Sequence, residues 1–419
     1  MVLGLCAGLT VLRDPVLFES PAAPYEDGRD VLGFFYNHPE PGSILRSYNG
    51  YVSVIPNAAG YLSARLPVRH VPAALALFGL GVAGLAFSGF AGRRFRAVLA
   101  SDGLRWLACL VLAAVPLGNY LFVSSTAYSV WNLLFLLILL SLAGAPTSTA
   151  SFARRSLAGS VLIASHPLSI ALIPVWWTRG LVAAARPTLA RGYATLLTAV
   201  AVLYQWLGVE HVERGSLEVV RVARVTGLLI LERVFFNTLL SDRMSRALHR
   251  QGSEESVYWT GAAVLLGVLV ASGLLWRRLD PVRRWSVLGL LYLIVALTAL
   301  YVVGRSGSLD VLTGNPGYRY FWVQRMCLLL VLAILAGTVL SAGSWRRRAT
   351  WGALLALLLA GVLVRSNRLD NAKYRGRPGM ARKLALFLQS VEAQEQAGAG
   401  VEARHERGAW SIELRRPER

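Results

Sequence analysis

The sequence predicts an all-α integral membrane protein of about eleven transmembrane helices, with a helical first outer loop and a small C-terminal extracytoplasmic segment. Three observations predict it. Of 419 residues 55% are hydrophobic, and a mean hydropathy of +0.50 leaves more apolar surface than one soluble core can hide. Much of that surface arrives in runs of about twenty residues, enough to cross roughly 30 Å of hydrocarbon as helix. The runs do not alternate as barrel strands would: Leu133 to Leu142 is apolar apart from Ser141, and Leu328 to Leu335 is apolar throughout.

In chain order the spans lie near Val2 to Leu12, Val71 to Gly92, Leu104 to Phe122, Ser129 to Ala145, a pair within Ser156 to Trp177, Tyr193 to Val209, Tyr258 to Trp276, Ser286 to Val303, Tyr320 to Leu340 and Thr350 to Val364. The first has only about twelve residues before Arg13, about 18 Å of helix, so either the true start lies upstream of Met1 or this helix crosses partway. Ser156 to Trp177 has arginines at both ends. Two short helices folded at Ser165-His166-Pro167 keep the alternation of sides, because proline interrupts the backbone ladder; one proline-kinked helix is the alternative.

The formal net charge of +20 resolves into a topology and not a nucleic-acid signal. Alternate connections carry Arg93, Arg94, Arg96 and Arg105; Arg154 and Arg155; Arg179, Arg186 and Arg191; Arg277, Arg278, Arg283 and Arg284; and Arg346, Arg347 and Arg348, with only Asp102 and Asp280 among them. Short cytoplasmic loops retain Arg and Lys, which places these connections and the N-terminus inside and the C-terminus outside. Lys373 and Lys383 are the only lysines. The cysteines, Cys6, Cys109 and Cys327, are odd in number and fall in spans, giving neither a disulfide framework nor a zinc spacing.

The chain divides into a transmembrane domain, residues 1–364, with a first outer loop at 13–70 and a second at 210–257, followed by an outer tail at 365–419. In the second loop Leu217, Val220, Ala223, Gly227, Ile230 and Val234 recur at spacings of three and four, while Glu218, Arg221 and Glu232 fall on the other side. That is the pattern of a helix lying at a membrane surface. In the tail, Gln389 to Glu406 is rich in Ala, Glu, Gln and Gly, and Ala409 to Leu414 alternates like a short strand. There is no internal repeat.

Chemistry is concentrated at Pro24-Tyr25-Glu26-Asp27-Gly28, where two adjacent carboxylates lie close to the membrane. Charges there are costly to hold, which marks Glu26 and Asp27 as functional candidates. A carboxylate can accept the proton of an attacking hydroxyl, and a neighbouring acid can raise its pKa or hold a cation. Turn or helix-cap chemistry is the alternative. Tyr25-Glu26-Asp27-Gly28 followed by Ser47-Tyr48-Asn49-Gly50-Tyr51 and Pro56 resembles the first outer loop of GT-C superfamily membrane glycosyltransferases. Trp131-Asn132, Ser165-His166-Pro167 with Pro174, and Arg319-Tyr320 resemble features of bacterial members. The resemblance implies a polyprenyl-phosphate-linked sugar donor, a lipid or glycan acceptor outside a bacterial cytoplasmic membrane, inversion at the sugar, and Asp27 as general base. Glu26 would assist Asp27 or hold a divalent cation. Asn57 departs from the pattern, which leads one to expect an arginine after Pro56.

Substrate-binding candidates follow. Arg319 and Arg325 lie at the outer end of a span, where a guanidinium fork suits the donor phosphate, or where arginines snorkel to headgroups. His166, at the helix break, either meets phosphate or sugar or satisfies exposed backbone groups. Tyr51, Asn132 and Tyr320 either line the acceptor pocket or belong to the interfacial belt. There is no Walker-type loop. A lipid-linked glycan flippase or transporter, or an oligosaccharide polymerase or ligase, is the rival reading; transporters favour broken spans at the midplane and repeats.

Overall fold

The computed structural model describes residues 1–13, 27–48, 50–114, 125–182, 186–209, 219–240, 242–304, 320–342, 377–397, 401–407 and 410–416. Glu26, Arg319 and the span expected at Thr350 to Val364 lie outside the described residues. The helices are α1 (Val2–Arg13), α2 (Val54–Ser63), α3 (Val71–Ser88), α4 (Asp102–Ala114), α5 (Ser129–Leu142), α6 (Thr149–Ile163), α7 (Ile173–Val182), α8 (Pro187–Leu207), α9 (Val219–Leu229), α10 (Asp242–Arg250), α11 (Glu254–Leu275), α12 (Pro281–Gly304), α13 (Trp322–Ala342) and α14 (Arg377–Gln396). Among the described residues four stretches are long and apolar enough to cross a membrane: Val68–Ala91, Glu254–Arg278, Pro281–Gly304 and Trp322–Leu340. Val2–Leu12, Ser129–Leu142 and Pro167–Thr178 are shorter apolar helices.

Lipid offers no hydrophobic drive between helices, so small residues and hydrogen bonds hold them together. A Cβ at Gly159 would fall 2.7 Å from Leu197 Cδ2, so glycine is what brings α6 close to α8. Trp176 Nε1 donates to Ser141 Oγ at 2.8 Å, joining α7 to α5. The chain does break between α6 and α7: α6 ends at Ile163, and Pro167 opens a 3-10 turn to Leu172 that leads into α7. At the far end of α5, Arg155 donates to Leu140 O at 2.9 Å. In the neighbouring connection buried Arg105 donates to Leu99 O at 2.6 Å and Ala100 O at 3.0 Å, and Arg96 pairs with Asp102 at 3.0 Å.

Two hydrophobic cores result. One lies within the bundle, where Leu134, Phe135 and Ile138 meet Leu290, Leu293, Trp322 and Val331. The other joins the first loop to the tail, with Val31, Leu32, Phe35, Tyr36 and Leu75 packed on Leu384, Leu388, Val391, Ile412 and Leu414. Polar bonds reinforce this second core. Tyr36 donates to Glu395 at 2.8 Å, and Asn37 bridges both ways, donating to Glu413 O at 3.0 Å and accepting from Arg415 N at 2.7 Å. The tail strand runs over Trp410–Arg416 and pairs antiparallel with Val401–Arg407. Among the described side chains of the hairpin Val401, Ile412 and Leu414 are the buried apolar ones, and just one of them, Val401, lies in the partner strand.

The second loop departs from its expected faces. Leu217 and Glu218 lie outside the described residues; Val220 is exposed, and Glu232, expected on the polar side, is buried. The reason is geometric. Ile230–Phe236 is a π-helical turn, whose wider bonding shifts the buried face away from the spacing of an α-helix. α11 approaches this turn so closely that a Cβ at Gly261 would collide with Leu231 O.

Candidate functional site

Asp27 opens the other π-helical turn, Asp27–Gly33, and is buried. The turn is held against α2 by Gly60, where a Cβ would fall 2.5 Å from Phe35 Cδ2 and 2.7 Å from Val31 Cγ1. From there the carboxylate reaches the corner that precedes α5. Its Oδ1 accepts from Ser125 Oγ at 2.9 Å and Ala127 N at 2.8 Å, and its Oδ2 accepts from Thr126 N at 3.1 Å. Amides just ahead of a helix carry positive partial charge, so an anion is favoured there. Thr126 Oγ1 in turn donates to Leu75 O at 2.9 Å, tying the corner to α3. The acid therefore fixes the corner from which α5 begins at Ser129, two residues before Trp131, or about 3 Å along the helix.

Around Trp131 an aromatic cluster gathers residues that are distant in sequence. Its ring lies 4.7 Å from His166, 5.6 Å from Tyr301 and 5.8 Å from Tyr320, the first and last edge to face. Tyr301 and Tyr320 are 5.2 Å apart, and Tyr51 stands 6.1 Å from His166. Next to Trp131, buried Asn132 accepts from Trp322 Nε1 at 3.1 Å, joining α5 to α13. The approach of Tyr51 is set by strand-like bonding: Val52 N donates to Gly208 O at 2.8 Å at the end of α8.

His166 lies in the turn between the helices and is buried. Its Nδ1 accepts from Leu168 N at 3.1 Å, which fixes the tautomer, because a ring nitrogen that accepts an amide proton carries none of its own. Nε2 is then an N–H donor, buried without a hydrogen-bond partner among the described residues. Burial pushes the imidazole down to about 3, so the ring is neutral at physiological pH.

A charged neighbourhood adjoins this cluster. Arg325, in the first turn of α13, is fully buried and donates from Nε to Arg233 O at 2.6 Å. It therefore does not snorkel. On the second π turn Glu232 accepts from Ser245 Oγ at 2.8 Å, and its Oε1 lies 3.1 Å from His249 Nε2 and 3.7 Å from Arg233 Nε. Asn237 and Gln324 are buried, and neither amide oxygen nor amide nitrogen of either side chain has a partner among the described residues. Each such atom costs about 1–3 kcal/mol.

Of the residues singled out from sequence, Tyr51, Asn132, His166 and Tyr320 come together around Trp131, Asp27 anchors the helix that carries it, and Arg325 sits one turn beyond Tyr320. Asn57 donates to Ile44 O and Arg46 O, both at 2.9 Å, and serves the loop. Glu232, Arg233, Tyr301, Asn237 and Gln324 were not singled out. An acid and an arginine inside the apolar run Leu228-Leu229-Ile230-Leu231-Glu232-Arg233-Val234-Phe235-Phe236 were the available signal. No protein-family model matches the chain, and no curated protein matches it.

Proposed function

We propose that the protein is an inverting membrane glycosyltransferase of the GT-C type, moving a sugar from a polyprenyl-phosphate donor to a lipid or glycan acceptor outside a bacterial cytoplasmic membrane. In this reading about eleven helices cross, the N-terminus is inside, and the first loop, second loop and tail lie outside. One observation carries it: an acid of the first loop is bonded to the corner that opens α5, α5 carries the aromatic cluster around Trp131, and a buried arginine follows Tyr320 of that cluster in the first turn of α13. Aromatic faces and a neutral donor such as His166 suit a sugar ring, and a guanidinium suits a phosphate.

Asp27 takes the acceptor's proton as the new glycosidic bond forms. Among the described donors to Asp27 the Ser125 hydroxyl can rotate away whereas the backbone amides cannot, so the acceptor hydroxyl replaces it on Oδ1. The bond from the sugar to the donor phosphate breaks as the new one forms, and Arg325, with Arg319, stabilises the departing phosphate. Three N–H and O–H donors facing the Asp27 oxygens are a poor setting for a divalent cation, and no step is assigned to one.

The test is to incubate the full chain in nanodiscs with a panel of polyprenyl-phosphate sugars and to identify copurified lipid by mass spectrometry. A polyprenyl-phosphate head group and acceptor-dependent loss of sugar are expected. Carrier lipid that crosses the bilayer with its sugar intact would mean a flippase instead.

A further inference from the structure

We infer that the seam between the second π turn and the first turn of α13 is a phosphate site, formed by Arg233, Asn237, Gln324 and Arg325, that holds the head group of a polyprenyl phosphate. The placement comes from the backbone. Arg233 and Asn237 are four residues apart on one continuous helical stretch, the π turn running directly into Asn237–Leu240. Arg325 Nε reaches the backbone carbonyl of Arg233, which fixes the two segments against one another, and Gln324 is its neighbour on the same turn. Two buried arginines and two buried, unpartnered amides thus lie on the two segments that this bond brings together.

The chemistry selects the ligand. Phosphate offers several acceptor oxygens at tetrahedral spacing and bears negative charge, which matches guanidinium forks and amide N–H groups. The unpartnered amides are the second, independent sign: both are more than nine-tenths buried and make no hydrogen bond among the described residues. Groups that serve only the fold are normally satisfied within it. The nearby carboxylate Glu232 is engaged by Ser245 and His249 and lies 3.7 Å from Arg233 Nε, so it offsets part of the charge at Arg233.

This inference rests on the lipid-phosphate donor of the proposed function, and the experiment separates the two. Asn237→Leu and Gln324→Leu are made in the full chain, and thermal unfolding is followed in nanodiscs with polyprenyl monophosphate, with the uncharged polyprenol, and with inorganic phosphate. Without ligand both variants should melt at or above the wild-type temperature, because each removes unpaired buried atoms. Polyprenyl monophosphate should stabilise the wild type and bind each variant at least about tenfold more weakly, the loss of one hydrogen bond to a charged group. Polyprenol should shift neither. A shift by inorganic phosphate equal to that by the lipid would make the site one for free phosphate and would overturn the lipid assignment. Variants that melt lower yet bind polyprenyl monophosphate as tightly as wild type would show amides that serve the fold, and would overturn the site. Tight phosphate-dependent binding with no sugar transfer from any donor would leave the site standing and remove the glycosyltransferase reading.

Discussion

The two π-helical turns each carry one buried carboxylate and each rest on a glycine, yet they hold their acids in opposite ways. The described donors to Asp27 are two backbone amides and one hydroxyl, groups that cannot titrate and, the hydroxyl apart, cannot turn away. Among the described residues Glu232 is held by side chains, Ser245, His249 and Arg233. Exposure rises along that second set, from 8% at Glu232 through 26% at His249 to 63% at Glu254, whose carboxylate lies 3.4 Å from His249 Nδ1. The first arrangement sets a fixed origin for α5 and so for Trp131 and Asn132. The second joins the π turn, α10 and α11 through side chains whose outer end, His249 and Glu254, water can reach. A buried acid held by backbone is a structural reference point, whereas one held by side chains that lead out to solvent is an adjustable joint.

The sharpest way to break the comparison is to remove each acid. Asp27→Ala leaves two backbone amides unpaired at about 1–3 kcal/mol each, a loss of about 4 kcal/mol in chemical or thermal unfolding. Glu232→Ala should cost less, because Ser245 and His249 can rotate; equal losses would abolish the distinction. Next comes the glycine of the second turn. Gly261→Ala forces α11 away from Leu231 O and should cost about 2 kcal/mol, with hydrogen exchange rising in 230–236 and not in 27–33. Ser245→Ala should cost about 1 kcal/mol, the value of a single hydrogen bond.

His166 supplies a pH-dependent check on the fixed region. Its folded-state value of about 3 lies below the unfolded value of about 6.5, so between those limits the unfolded chain binds more protons. Stability is fully present above about pH 6.5 and is lost as the pH falls through that window. In His166→Phe this part of the acid-side loss should vanish, while the lost acceptor for Leu168 N costs about 1 kcal/mol at every pH. An unchanged acid limb would mean that the ring is not buried neutral.

How much of this was legible in the sequence differs between the two regions for the same physical reason. The Glu26-Asp27 pair stood out as charge in a short polar segment, and His166-Pro167 as a break in an apolar run, because both are local signals. The donors of Asp27 lie about a hundred positions away, and Tyr301 was one more residue in a span until folding set it beside Trp131 and Tyr320. Glu232 was misplaced on the polar face because spacings of three and four presuppose an α-helix, whereas the chain is π-helical there. The partner strand Val401–Arg407 was hidden because Glu402, Arg404 and Glu406 alternate with residues only weakly apolar.

The most direct test of the account is the transfer rate of Asp27→Asn beside Ser125→Ala, each in the purified full chain with an accepted polyprenyl-phosphate sugar and with helical content verified. Asp27→Asn should lower the rate by about 10²–10⁴, since an amide cannot take the acceptor's proton, while Ser125→Ala, which leaves the Ala127 amide on Oδ1 and removes an acceptor for Tyr128 N, should stay within about tenfold of wild type. Folded Asp27→Asn transferring sugar at the parental rate would contradict the assignment and leave Asp27 as an anchor alone.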